Sequence, residues 1–149
     1  MQSNELTRAA VRRLAELRPP AGKVLSLYLN LDPSEFGTAP ARASAVTSLL
    51  DEAHRRVEEC NGLSHDEHQA LRADVTRARE YFAKGDFAKG AHGVALFAAG
   101  LADLFESFKL PRPVETGVAI GSSPYIAPLA EIGVPATWCV LLTNRKVGR

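Results

Sequence analysis

The residues most able to do chemistry in this chain are few and scattered. His65 and His68 stand three apart at the start of a helical segment and could share a metal ion. A third ligand would have to come from elsewhere, because Asp66 and Glu67 face other sides of a helix. Acidic and polar residues are also ordinary in a capped first turn, where they oppose the helix dipole. Gly90-Ala91-His92-Gly93 has glycines suited to a phosphate cradle, but it feeds a strand and not a helix N-terminus, so it reads as a turn. Ser122-Ser123-Pro124-Tyr125 opens a helical segment whose free N–H groups could hold an anion, and an ordinary N-cap is the simpler account. Cys60 and Cys139 lie far apart and form no Cys/His cluster. No Ser/His/Asp or Cys/His set has the context of a nucleophile and its base. The residues therefore indicate no catalytic group, no metal site, no cofactor and no small-molecule substrate.

Composition narrows the partners. Over 149 residues, 46% hydrophobic and 23% charged side chains describe an ordinary globular domain, long enough to bury a core. Net charge is +1, and residues 1–90 carry 13 basic and 13 acidic side chains. Such a balance gives no support to strong nonspecific nucleic-acid binding. Arg8, Arg12 and Arg13, with Arg72, Arg77 and Arg79, are the material for a basic surface against RNA, yet they alternate with acids as on a solvated helix face. Two cysteines without a spacing pattern fit a reducing compartment better than a disulfide framework. The polar start, Met1 to Glu5, does not read as a signal peptide, and no apolar run reaches the roughly 20 residues that span a bilayer. A cytoplasmic protein without membrane contact is expected.

The elements that would position these residues follow from periodicity. Leu6, Ala10, Leu14 and Leu17 recur at helical spacing until Pro19-Pro20 stops them. Val24 to Leu31 reads as a central strand ended by Asp32-Pro33 and covered on at least one face by helices. Val46, Leu49, Leu50, Ala53, Val57 and Cys60 share one face of a long helix over 41–60, which Asn61-Gly62 closes. Ser64 and Glu67 form a capping-box pattern for a second helix over 65–83, striped by Leu71, Val75, Ala78 and Phe82. Further strands are predicted near 92–98, 101–109 and 115–120, and a short helix from Pro124 to about Glu131. The fold class is thus α+β: a mixed sheet of about four strands, with a long antiparallel helical hairpin packed on one face. Trp138 to Thr143 reads as the first strand of a further domain, dividing the chain into 1–133 and a connector with strand over 134–149.

A tight turn projecting from a rigid helical pair is a natural contact site, because the scaffold fixes its residues without burying them. That singles out Asn61, Gly62, Leu63, Ser64 and His65 as partner-binding residues. Gly62 and Ser64 also have a plain structural role, closing one helix and capping the next.

The order of these elements resembles the N-terminal domain of the archaeo-eukaryotic class-1 peptide chain release factors, in the form carried by bacterial homologues. The resemblance rests on Leu25-Ser26-Leu27-Tyr28-Leu29-Asn30-Leu31-Asp32-Pro33, Lys89 to Phe97, Leu110-Pro111, Pro124-Tyr125-Ile126-Ala127-Pro128-Leu129 and Trp138 to Arg145. It implies a multi-domain protein associated with the ribosome or tRNA. In that family the N-terminal domain sits toward the decoding site, and a middle domain carries the Gly-Gly-Gln loop that promotes peptidyl-tRNA hydrolysis. The chain departs from the family at each functional point. It contains no Gly-Gly-Gln; Asn61-Gly62-Leu63-Ser64 stands where the family has Asn-Ile-Lys-Ser; and Val118 to Pro124 replaces Tyr-x-Cys-x-x-x-Phe. The resemblance therefore implies termination or ribosome rescue without the eukaryotic mode of codon reading. The competing expectation is a protein–protein interaction module of a stress or regulatory protein, built on the same fold without tRNA chemistry.

Overall fold

The computed structural model describes residues 3–20 and 22–132. The strand expected at Trp138 to Thr143, its connector over 134–149 and Cys139 lie outside them.

The centre of the molecule is β2 (Val24–Asn30), whose residues through Leu29 are all buried. Strand alternation splits its side chains between two cores. Leu25, Leu27 and Leu29 enter one, while Val24 and Tyr28 enter the other. The antiparallel neighbour β3 (Gly93–Ala99) is buried throughout and divides likewise, Leu96 to the first core and Phe97 to the second. β5 (Gly117–Gly121) pairs antiparallel with the other edge of β2, and β4 (Leu104–Leu110) pairs antiparallel with β3. These are the four expected strands, with the later three starting one to three residues further along the chain. A fifth, β1 (Ser3–Glu5), lies parallel to β4, which makes the sheet mixed, in the order β1-β4-β3-β2-β5. Three polar residues give no periodicity to read, so only the neighbour supplied by β4 makes that strand visible.

Helices cover both faces. On one lie α3 (Ala39–Glu59) and α4 (His65–Ala83), whose buried Leu49, Leu50, Ala53, Val57, Leu71, Val75, Ala78 and Phe82 join the first core. At roughly 25 cal/mol per Å² of apolar area removed from water, this stripe outweighs any single polar contact in the hairpin. Val46 and Cys60, at the two ends of the α3 stripe, are half-buried. On the other face, Leu14 of α1 (Arg8–Glu16) and Leu129 of α5 (Ala127–Ile132) close the second core around Phe97 and Phe108. Between β2 and α3 a single helical turn, α2 (Pro33–Phe36), occupies what reads as loop; Asp32 caps it by accepting from the Ser34 N–H at 3.1 Å.

α5 begins three residues later than Pro124 would suggest, and β2 supplies the reason. The Tyr125 N–H donates to Ser26 Oγ at 3.0 Å, and the Tyr28 hydroxyl donates to the Tyr125 carbonyl. The Tyr125 carbonyl, which a helix begun at Pro124 would use as an acceptor, is thereby engaged by β2, while its N–H would lack an intrahelical partner in either case. Burial pushes the Tyr28 hydroxyl well above its ordinary range, so it stays a donor.

Candidate functional site

The hairpin tip is built by two helix ends facing opposite ways. α3 stops when Cys60 turns extended, its N–H donating to Val57 O at 3.3 Å. Gly62 then takes a φ of 81°, where a side chain would be strained. α4 starts with the complete capping box: Ser64 Oγ accepts from the Glu67 N–H at 3.1 Å, and Glu67 Oε1 accepts from the Ser64 N–H at 2.9 Å. Glu67 Oε2 also accepts from the Gly22 N–H at 3.2 Å, which ties the approach to β2 onto the hairpin. These backbone hydrogen bonds hold the Glu67 carboxyl below its usual range.

Below the tip the two helices are latched. Arg72 makes a bidentate ion pair with Glu58, at 2.8 Å through both nitrogens, and His68 Nε2 lies 3.0 Å from Val57 O. The Arg72 guanidinium holds the Glu58 carboxyl below its ordinary range. Since Glu58 meets Arg72 here, while Val46 and Leu50 border Phe82 at the far end, the helices run antiparallel.

The structure separates the five residues singled out at the tip. Asn61, Gly62, Ser64 and His65 are exposed, whereas Leu63 is half-buried and packs against the first core. Ser64 uses its hydroxyl oxygen as the acceptor of the cap. Asn61 and His65 make no hydrogen bond or ion pair with their side chains among the described residues and are exposed, with the Gly62 backbone between them. His68 turns to Val57 O, away from a shared ligand with His65, and no group of three or more His, Cys, Asp or Glu side chains that could hold a metal occurs among the described residues.

Other candidates resolve into structure. In Gly90 to Gly93 the last glycine sits where a Cβ would meet Val114 Cγ1 at 3.1 Å and Leu29 O at 3.3 Å, so close packing of β3 accounts for it. At Ser122 to Tyr125 the N–H of Tyr125 is already committed to Ser26. Three of the six arginines considered as a basic surface are ion-paired: Arg13 with Glu106, Arg72 with Glu58 and Arg77 with Asp74.

Asp74 was not among the residues singled out. It is 1% exposed, accepts from the Gly100 N–H at 3.1 Å and from Arg77 at 3.0 Å, and so ties α4 to the β3–β4 turn. Its burial raises the carboxyl above the usual range despite these donors. A signal existed: Asp74 stands three residues after Leu71 and four before Ala78, on the apolar stripe, where a carboxylate needs partners.

The chain matches no model of a known protein family and no curated protein. Among the described residues no helix is long and apolar enough to cross a membrane.

Proposed function

We propose that this chain is the non-catalytic N-terminal positioning domain of a release-factor-like, ribosome-associated protein, acting in translation termination or ribosome rescue in the cytoplasm. The observation that carries the reading is the tip itself. It is capped on both sides, latched by Glu58–Arg72 and tied to Gly22, yet it presents Asn61, Gly62 and His65 to solvent. A rigid pair of helices that exposes a short turn is suited to probing RNA or ribosomal protein, because little ordering entropy is lost on contact. On this reading the peptidyl-tRNA chemistry belongs to a middle domain and not to this segment. The pinning of Tyr125 by Ser26 and Tyr28 supports the reading further, since it joins two of the segments on which the resemblance rests.

The second reading, a protein–protein interaction module, is favoured by charge. Net charge is +1, and Arg55, Arg56, Arg72 and Arg77 of the hairpin are all ion-paired, which leaves few cations for a phosphate backbone. Cosedimentation of the full-length protein with ribosomes separates the two. Replacing Asn61 and His65 by alanine, with Gly62, Leu63 and Ser64 kept so that both helix ends survive, should weaken cosedimentation at unchanged stability. Undiminished cosedimentation of that variant would move the contact away from the tip, and no cosedimentation of the native protein would favour the module.

A further inference from the structure

At the base of the hairpin, away from the tip, α3 and α4 part to leave a trough of about 450 Å³. Its floor is the buried Leu50, Phe82 and Phe87. Its rim is kept low by small exposed residues, among them Ala43 and Ala83. Arg42 and Arg79 line it, and no Asp or Glu does among the described residues. Arg42 is pre-oriented, donating to the Phe36 carbonyl at 3.2 Å, and Arg79 takes part in no ion pair among the described residues. An apolar trough whose charged lining, among the described residues, is Arg42 and Arg79 alone is complementary to an apolar surface that carries carboxylates.

We infer that this trough docks an acidic amphipathic segment of a partner protein. An apolar side chain is seated over Leu50, Phe82 and Phe87, and a flanking Asp or Glu is held by Arg42 and Arg79. The open side favours a peptide over an enclosed small ligand, and a channel between two helices suits the apolar face of a third. Leu50 stands nine residues before the end of α3 at Glu59, about 14 Å along the helix axis, so the trough and the tip can be occupied independently. The inference does not depend on the ribosomal reading of the tip.

A random-peptide display selection against the whole chain tests it, with counter-selection against Ala43→Leu. That substitution fills the trough from an exposed position and should leave thermal stability nearly unchanged. Enriched peptides should combine apolar residues at helical spacing with net negative charge. They should shift amide resonances of Val46, Leu50 and Phe82, and should bind Arg42→Gln/Arg79→Gln at least about tenfold more weakly. Three results would overturn the proposal: neutral or basic winners, equal binding to the double glutamine variant, or no peptide that distinguishes native protein from Ala43→Leu. Dodecanoate saturating the same resonances when no peptide does so would assign the trough to a small amphiphile instead.

Discussion

Tyr28 and Asp74 show how single polar atoms decide local architecture. Tyr28→Phe removes the donor to the Tyr125 carbonyl and should cost about 1 kcal/mol, measured by denaturant unfolding. Asp74→Ala strands the Gly100 N–H and the half-exposed Arg77 and should cost about 2 kcal/mol. The pH dependence of Asp74 runs opposite to that of an ordinary paired carboxylate. Burial raises its folded-state pKa above the value of about 3.9 in the unfolded chain, so the folded protein binds the proton more tightly. Its contribution is complete below that value and is lost as pH rises through the folded pKa. Asp74→Asn, neutral at every pH, should therefore gain stability relative to the native protein as pH rises from about 4 to 7, in paired unfolding curves. A constant difference would mean that Arg77 and Gly100 fully compensate the burial.

At the scale of elements, the hairpin is held by its caps and its stripe. Ser64→Ala opens the capping box and should lower stability by about 1 kcal/mol. Leu50→Ala, on the floor of the trough and 2% exposed, should cost about 2–5 kcal/mol through lost transfer energy and a cavity. The ion pairs along the hairpin, Glu52 with Arg55 and Arg56 and Glu58 with Arg72, are exposed and contribute little each. Glu58–Arg72 is the one of these that joins the two helices, while their packing is set by the apolar stripe.

For the whole molecule, the sheet belongs to two cores at once. Leu96 and Phe97 are adjacent in β3, both fully buried, and point into opposite cores. If both faces fold as one unit, Leu96→Ala should cost about 2–5 kcal/mol and Phe97→Ala about 3–5 kcal/mol. Circular dichroism and tyrosine fluorescence should then report one shared transition for each variant. Separate transitions for the two probes would show that α1 and α5 fold apart from the hairpin.

What residue order alone determined is whatever local chemistry dictates. Ser64 and Glu67 are three apart, so their capping box can form within one helical turn; Asn61-Gly62 ends a helix because glycine accepts positive φ; alternating leucines make β2 a strand. The α+β class, the hairpin and four of the five strands among the described residues were legible on those grounds. Contacts distant in sequence were not. β1 exists because β4 lies beside it, α5 starts at Ala127 with the Tyr125 carbonyl taken by Tyr28, and Asp74 is buried because Gly100 and Arg77 come to meet it. The tip was legible as a turn, but only packing could decide that Leu63 faces inward. Packing against the first core half-buries that side chain and leaves Asn61 and His65 exposed.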